Sequence, residues 1–292
     1  MKAVIPAAGF GTRFLPFTKS VPKELIPLID KPVIQYVVEE AAAAGIDKIL
    51  IIISAGKEAI CRHFAPEPEL EKRLAETGKI ALLEEVRSTA KGVSIEFVYQ
   101  RELDGLGGAL RYAREFVGNE PFALLLGDNV TSGERPVIAE LIDVFRSKNT
   151  SVVAVEEVDP DSVGLYGVIS GTTNDGYIYQ LNNLIEKPRK EEAPSNLAIA
   201  SRYILTPEIF DELDNTPRSK NNEIQLTDAM CSLMRKQGFH AVKIKGKRHD
   251  AGDKLSFLCS TVEFALNRPE FRDAFLDFLK EKVDSGQWTV DS

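Results

Sequence analysis

The chain opens on a short apolar run and a glycine-rich turn, IPAAGFGTRFLPFTKSVPKELIP at residues 5–27. A strand followed by such a turn can expose backbone N–H groups to an anion, and Gly9 and Gly11 can take φ > 0 and let a ligand approach closely. Arg13 offers a planar, permanently charged fork to phosphate oxygens, and Lys23 adds a mobile point charge. The stretch therefore predicts a binding site for a triphosphate.

Two familiar phosphate loops do not fit this turn. GFGTRF lacks the third glycine of GxGxxG, and Asp30 lies in a loop before a helix, where it does not replace the acidic residue expected after a second strand. The turn also lacks the GK[ST] ending of the Walker loop. A dinucleotide site and the usual NTPase site are both disfavoured.

Strand-like and helical runs alternate over the first half of the chain. The runs are KAVIP, PVIQYVVEEAAAAG, KILIIIS, SIEFVYQ, GLGGALRYAREF, FALLLGD and PVIAELIDVFRSK. This alternation predicts parallel crossovers and a Rossmann-like, doubly wound α/β sheet. From about residue 150 shorter β segments, separated by turns such as GTTNDG, predict a small antiparallel extension that covers a pocket. Helices are expected near 206–214 and 223–237, and C-terminal helices are expected on either side of Pro269.

Composition excludes several classes of protein. The 292 residues are 43% hydrophobic and carry a net charge of -8, which argues against nucleic acid as a partner. Cys61, Cys231 and Cys259 form no CxxC pair, which argues against a disulfide framework and a zinc site. No apolar run approaches 18 residues and no signal-peptide pattern precedes the first strand, so we expect a cytoplasmic protein with no membrane partner.

Eight ordered motifs resemble those of the bacterial UTP:glucose-1-phosphate uridylyltransferases. They are AAGFGTRFLP, PKE at 22–24, GLGGA at 105–109, LLGD at 125–128, YGVI at 166–169, IEKP at 185–188, EIQLTD at 223–228 and HDAGDK at 249–254. The resemblance implies a sugar nucleotidyltransferase fold that makes UDP-glucose and pyrophosphate from UTP and glucose 1-phosphate with Mg²⁺. It also implies a homo-oligomer, either a dimer or a tetramer.

The reaction that the resemblance implies needs no general base. A phosphate monoester has a second pKa near 6, so the attacking oxygen is mostly deprotonated at neutral pH. Catalysis is then mainly positioning and charge neutralisation, which by the resemblance falls to Arg13, Lys23 and Lys187. We expect structural roles for the three histidines of the chain.

Two aspartates are candidate metal ligands. Asp128 follows the apolar run FALLL, which places it at the carboxyl edge of a parallel sheet, where α/β proteins bind ligands. By the resemblance, Asp250 is the second metal-contacting acid, and Mg²⁺ needs only one or two carboxylates beside substrate phosphates. Asn129 stands where the family commonly has another acid, as it does in related thymidylyltransferases. Asp253 is expected to cap the helix that begins near 254.

Gln100 is the candidate for base recognition, beside the GLGGA turn. Its amide offers a donor and an acceptor, which complement the N3–H and a carbonyl of uracil. Because an amide can flip, Gln100 alone could also accept cytosine. Fixed backbone groups at Ala8 and Gly9, and a close approach at Gly105, are then expected to supply the discrimination.

The IEKP and YGVI motifs are candidates for sugar binding. In an extended segment neighbouring side chains point to opposite faces, so Glu186 and Lys187 are expected to do different work. By the resemblance, Glu186 accepts hydrogen bonds from glucose hydroxyls, Lys187 reaches the phosphates, and the backbone of Gly167 contacts the sugar. Asn221 and Asn222 replace a glycine pair of the family, and asparagine tolerates the left-handed conformation.

The predicted organisation is a catalytic domain over residues 1–268 and a C-terminal helix and tail over 269–292. The domain includes a charged helical insertion at about 66–92 and a sugar-binding part at about 150–205. The alternatives are a thymidylyltransferase or another hexose-1-phosphate nucleotidyltransferase, and a non-catalytic regulatory paralogue. Joint retention of Arg13, Lys23, Asp128, Lys187 and Asp250 favours the enzyme, because a regulatory copy has no need of them all.

Overall fold

A computed structural model describes residues 1–285 of the chain, and the last seven residues of the predicted tail, 286–292, lie outside the described part. The strands are β1 (Lys2–Pro6), β2 (Pro27–Leu28), β3 (Lys31–Pro32), β4 (Lys48–Ile53), β5 (Ser94–Tyr99), β6 (Phe122–Leu125), β7 (Asn129–Ser132), β8 (Val152–Glu157), β9 (Gly167–Thr172), β10 (Ile178–Glu186), β11 (Leu197–Leu205), β12 (His240–Lys243) and β13 (Lys247–Asp250). The α-helices are α1 (Val33–Ala43), α2 (Glu58–Phe64), α3 (Pro68–Glu76), α4 (Ile80–Arg87), α5 (Gly105–Arg111), α6 (Arg114–Val117), α7 (Val137–Lys148), α8 (Ile209–Asn215), α9 (Leu226–Gln237), α10 (Lys254–Leu266) and α11 (Arg272–Asp284).

Nine strands form one mixed sheet in the order β5-β4-β1-β6-β11-β8-β12-β10-β9. The first four are parallel, with Val4 of β1 in register with Leu50 of β4 and Leu124 of β6. The sheet becomes antiparallel where β11 pairs with β6 and β8, and the β9–β10 pair forms its far edge. The predicted Rossmann-like mixed sheet with an antiparallel extension and C-terminal helices is confirmed.

Helices cover both faces of the sheet, because alternate side chains of each core strand point to opposite sides. Val4 packs in one hydrophobic cluster with Phe210 and Met230, which belong to α8 and α9. Its neighbour Ile5 packs in the other cluster with side chains of α1 and α7, such as Val37. The two-sided burial explains why the core strands read as continuous apolar runs.

The parallel half of the sheet determines where a ligand can bind. From β1 the chain crosses to β4 on one side, and it later returns to place β6 on the other side. The carboxyl ends of β1 and β6 therefore border a topological switch point, the usual ligand crevice of open α/β sheets. The glycine-rich turn follows β1 at this point, and Asp128 follows β6.

Outside the sheet, helices α3 and α4 lie between α2 and β5, in the segment where the sequence predicts a charged helical insertion. Helices α10 and α11 flank Pro269, and the division of the chain at residue 268 stays a prediction. None of the helices in residues 1–285 is both long enough and apolar enough to span a bilayer.

Candidate functional site

A pocket of about 450 Å³ lies at the switch point between β1 and β6. It gathers side chains and backbone from the first turn, the end of β5, the start of α5 and the segment after β6. The predicted nucleotide-site residues that line it are Ala8, Gly9, Gly11, Lys23, Gln100, Gly105 and Asp128. Motifs up to 120 residues apart in sequence are thus brought to one cavity.

Only one of the two glycines in the first turn adopts the left-handed backbone conformation. Gly11 has φ +67°, and a Cβ atom there would lie 3.1 Å from the Cβ of Lys23, so the turn and the lysine segment pack closely. Gly9 does not adopt the left-handed conformation, contrary to what the sequence suggests. A Cβ atom on Gly9 would meet nothing within 4 Å, which leaves its backbone open to the pocket.

A buried ion pair that sequence reasoning missed holds this turn. The ammonium of Lys57, just after β4, lies 2.8 and 2.9 Å from the two carboxylate oxygens of Glu24 and donates to the carbonyl of Ala7 at 2.7 Å. Ser54 donates to the carbonyl of Ala8 at 2.8 Å. Burial raises the pKa of Glu24 and lowers the pKa of Lys57. Two residues that follow β4 therefore fix the backbone that borders the pocket.

Lys23 and Asp128 form a second ion pair, which faces the pocket. Nζ of Lys23 lies 2.5 Å from Oδ2 of Asp128, and about a fifth of each side chain is exposed. Burial alone would raise the pKa of Asp128, but the charge of Lys23 and the hydrogen bonds of the carboxylate outweigh it, so the pKa lies below its usual value. For Lys23 burial opposes the charge, and Asp128 nevertheless holds the pKa above its usual value. Both groups are therefore charged at neutral pH.

The two candidate metal ligands converge on one place. Asp250 pairs with Asn129 across β13 and β7, and the N–H of Ala251 donates to the carbonyl of Asp128 at 3.1 Å. A Cβ atom on Gly252 would lie 2.7 Å from Oδ1 of Asp250 and 3.6 Å from Oδ2 of Asp128, so those oxygens are separated by at most the sum of these distances. Within residues 1–285 no group of three or more His, Cys, Asp or Glu side chains forms a metal site.

Asn129 and Arg248 tie the two carboxylates together. The amide of Asn129 donates to Oδ1 of Asp128 at 2.9 Å, and its oxygen accepts from Arg248 at 3.1 Å. The same nitrogen of Arg248 lies 3.3 Å from Oδ2 of Asp250, and the guanidinium lies 4.7 Å from the ring centroid of Tyr166. Asn129, which departs from the family pattern, therefore forms hydrogen bonds to both Asp128 and Arg248. Arg248 was not foreseen, although it directly precedes the HDAGDK motif.

Gly167 and Glu186 lie side by side on β9 and β10, outside the main pocket. A Cβ atom on Gly167 would lie 3.3 Å from Oε2 of Glu186, which also accepts from the hydroxyl of Thr227 at 2.6 Å. Tyr166, directly before Gly167, stacks on Arg248. Arg248 thus links the start of this strand to Asp250.

The expectation that Glu186 and Lys187 face opposite ways is wrong. Strand β10 ends at Glu186, and Lys187 has a left-handed φ of +44°, so the alternation of an extended segment stops there. Nζ of Lys187 lies 3.6 Å from Oε1 of Glu186, and 59% of the lysine side chain is exposed. Among residues 1–285, the carboxylate of Glu186 is the one ion-pair partner of this ammonium, at a long distance.

Arg13 is exposed and does not line the pocket. It lies in a short 3₁₀ turn, Thr12–Phe14, and has no hydrogen bond or ion pair among residues 1–285. Burial raises the pKa of Asp253, but the hydrogen bonds of the carboxylate and the charge of Arg13 outweigh it, so the pKa lies below its usual value. Asp253 accepts from the N–H of Ser256 at 3.0 Å, which confirms it as the cap of α10.

The three histidines lie away from the pocket and have hydrogen-bonding neighbours. His63 bonds to Gln35, His240 to Thr150 and His249 to Ser132. Burial lowers the pKa of each imidazole, which keeps them neutral at pH 7. Structural roles therefore fit all three.

Comparison with known proteins places this site in a known class. Proteins with a glycine-rich turn after the first strand of a Rossmann-like sheet, and carboxylates at the switch point, bind nucleotides there. The family model described as nucleotidyl transferase matches residues 2–265. The chain belongs to the nucleotidyl transferase family.

Individual relatives agree with this assignment. A UTP–glucose-1-phosphate uridylyltransferase of Staphylococcus epidermidis is 47% identical over 280 residues, which cover 96% of this chain and 97% of the relative. A UTP-bound UGPase from Acinetobacter baumannii is 35% identical with a TM-score of 0.88, covering 96% of this chain and 98% of that one. A UDP-glucose pyrophosphorylase complexed with UDP-glucose is 38% identical with a TM-score of 0.83, covering 91% and 99%. The resemblance inferred from the motifs is confirmed.

Proposed function

We propose that this nucleotidyltransferase transfers the uridylyl group of UTP to α-D-glucose 1-phosphate and releases pyrophosphate. The observation that carries the proposal is the convergence of seven predicted site residues, Asp128 among them, on one pocket at the switch point, with Asp250 close to Asp128. The names of the relatives, and the UTP and UDP-glucose bound to two similar structures, support the choice of substrates.

In this proposal the backbone of the first turn binds the triphosphate. Ala8, Gly9 and Gly11 border the pocket with little side-chain bulk, and Lys23 carries a charge into it. Arg13 has no partner among residues 1–285 and is free to turn toward phosphate oxygens. These groups hold the α-phosphorus in line with the attacking oxygen and neutralise charge that develops on transfer.

Asp128 and Asp250 would hold a magnesium ion. Their oxygens are close enough for one ion with its waters, and Mg²⁺ is typically held by one or two carboxylates plus substrate phosphates. Bound Mg²⁺ would neutralise charge on the phosphates of UTP. Asn129 and Arg248 orient the two carboxylates, so neither has to reorganise when the substrates bind.

The sugar phosphate would lie on the other side of the carboxylate pair. Glu186 accepts hydrogen bonds from glucose hydroxyls, and the backbone of Gly167 lies beside it. Lys187, exposed and weakly paired, reaches the phosphate of the sugar or of UTP. The incoming oxygen needs no base, which agrees with histidines that are engaged elsewhere.

Two further predictions stay part of this proposal. A homo-oligomer, dimer or tetramer, is supported by exposed apolar side chains on α10 and α11, among them Leu255, Leu258 and Phe278. A cytoplasmic location is supported by the three cysteines, which are all free thiols.

The test is an assay of the purified protein with glucose 1-phosphate and UTP, dTTP, CTP or GTP in turn, following pyrophosphate release. We expect UTP to be the best substrate and dTTP to react, because thymine differs from uracil by one methyl group and discrimination of such a group is worth about 1–3 kcal/mol. A higher kcat/KM with dTTP would favour a thymidylyltransferase. No release with any pair would favour the non-catalytic paralogue.

A further inference from the structure

The amide of Gln100 is held in one orientation. Its Nε2 donates to the carbonyl of Glu102 at 2.7 Å and to Oδ1 of Asp104 at 3.3 Å. Both partners can only accept, so a flipped amide would place Oε1 against two oxygens. Oε1 has no hydrogen-bond partner among residues 1–285, and it is not among the polar atoms that are buried without a partner, so it remains accessible. The side chain of Gln100 lines the pocket. The pocket therefore receives an acceptor from Gln100.

Asp104 is itself fixed from its other side. Its Oδ2 accepts from Arg218 at 3.2 Å, so each carboxylate oxygen has its own partner. Arg218 also donates to the carbonyl of Asn222 at 2.9 Å, beside the EIQLTD motif. Asp104 is 7% exposed, and the Cβ of any residue other than glycine at 108 would lie 1.8 Å from its Oδ1. Gly108 of the GLGGA motif thus leaves room for this carboxylate.

We propose that Asp104 and Arg218 are positioning residues that fix the Gln100 amide as an acceptor and so select uracil over cytosine. Uracil presents a donor at N3, which pairs with Oε1. Cytosine presents a lone pair at N3, which faces Oε1 without a hydrogen bond. The proposal rests on the proposed binding of UTP in this pocket and adds the residues that set its base specificity.

From the sequence, the Gln100 amide was expected to be free to flip, so that backbone groups alone would exclude cytosine. The hydrogen bonds of Nε2 correct this expectation. A mispaired acceptor in a closed site reduces kcat/KM by roughly 10- to 100-fold. Thymine has the same N3 donor as uracil, so the orientation of Gln100 does not separate UTP from dTTP. Discrimination between those two must come from contacts with the methyl group of thymine or with the ribose 2′-hydroxyl, which dTTP lacks.

The experiment compares Asp104→Ala with Asp214→Ala, which removes the same charge from an exposed ion pair with Arg111 and Arg114. Asp104→Ala is expected to lower the UTP to CTP ratio of kcat/KM by about fivefold, the equivalent of one hydrogen bond, and Asp214→Ala to leave it unchanged. The lower ratio should result mainly from a higher kcat/KM with CTP. A structural role would instead lower the values for both nucleotides together.

A double-mutant cycle shows whether the effect passes through Gln100. Gln100→Ala should abolish most of the discrimination, and adding Asp104→Ala should then change the ratio no further. An unchanged ratio in Asp104→Ala, or an equal fall in the Gln100→Ala background, would overturn the proposal.

A second variant and a second measurement test the same proposal. If Asp104→Ala does not fold, Arg218→Ala, at a more exposed side chain, should lower the ratio in the same direction, with Arg111→Ala as its control. Calorimetric affinities for UTP and CTP measure the same discrimination without turnover. A wild-type protein that binds UTP better than CTP but releases no pyrophosphate would contradict the proposed function and leave this inference standing, whereas equal affinities would overturn it.

Discussion

Nζ of Lys23 lies 2.5 Å from Oδ2 of Asp128, on the carboxylate that is proposed to bind magnesium. An ammonium and a metal ion would compete for this oxygen, since both are cations that seek the same lone pairs. Asp128 holds the pKa of Lys23 above its usual value despite burial, so the ammonium stays charged throughout the neutral range. On the proposed metal binding, we therefore expect Lys23 to exchange Asp128 for a phosphate.

Neutralising Lys23 should separate metal affinity from catalysis. Lys23→Met removes the competing cation, so calorimetry without nucleotide should show Mg²⁺ binding about tenfold tighter, the equivalent of one charge-assisted hydrogen bond. Turnover should fall by about 10²–10³, because a donor to the phosphates is lost. Lys19→Met is the matched control, since Lys19 is exposed and has no ion pair among residues 1–285. Equal metal affinity in the two variants would refute the competition.

The buried pair of Lys57 and Glu24 should matter for stability. Lys57→Met leaves Glu24, which is 1% exposed, without its cation, and breaking such a pair typically costs about 3–5 kcal/mol. Denaturant unfolding measures the change. Lys72→Met is the control, because the pair of Lys72 with Glu76 is exposed and separated by 3.8 Å, and it should cost less than about 1 kcal/mol. Adding Glu24→Gln to Lys57→Met should recover part of the loss, and failure to do so would argue against the ion pair as the cause.

Glu186 and Lys187 should differ in kinetics although they are adjacent. Lys187→Ala should lower kcat by about 10²–10³ with little change in KM if its ammonium acts on charge that develops during transfer. Glu186→Gln should mainly raise KM for glucose 1-phosphate. Arg189→Ala is the control, because its ion pair with Glu192 lies on the surface. Small and equal effects of the first two substitutions would indicate that Glu186 and Lys187 form only a surface ion pair.

Much of the fold follows from the sequence because its signals are local. The apolar run of β4 and the amphipathic pattern of α7 are each readable within a dozen residues, and their alternation predicts the parallel half of the sheet. The motifs also locate the pocket, because residues after β1 and β6 must share the switch point. The positions of Gly11 and Asp128 in the site are consequences of this topology.

The partners within the site are not local and were missed. Lys57 meets Glu24 across 33 positions, and Arg248 meets Asn129 across 119, so no spacing rule links them. The conformation of Lys187 was also misjudged, since the alternation of side chains ends where a strand ends, and Pro188 marks the end of β10 in the sequence. The fixed amide of Gln100 depends on Asp104, whose role appears only when the two side chains are seen together.

Asp128 and Asp250 are 122 positions apart and should act as one unit. The hydrogen bond from Ala251 to the carbonyl of Asp128 and the pairing of β7 with β13 bring the two carboxylates together. Direct Mg–O distances are about 2.0–2.1 Å, so one ion that binds to the two groups, directly or through a water, fits within the upper bound on their separation. Asp128→Asn and Asp250→Asn should each depress turnover severely without unfolding the chain, and raising the magnesium concentration should restore part of it.

The double variant distinguishes a shared site from two separate roles. If both aspartates hold one ion, the double variant should lose much less activity than the product of the two single losses, because the second substitution removes a site that is already broken. Calorimetry should show the same pattern for Mg²⁺ binding in the presence of UTP. The matched control is Asp253→Asn, which changes the capping aspartate of α10 in the same motif and should leave both stability and metal affinity nearly unchanged, because asparagine caps a helix about as well as aspartate. Losses that multiply in the double variant, or metal affinity that survives both single substitutions, would assign the two carboxylates to different tasks.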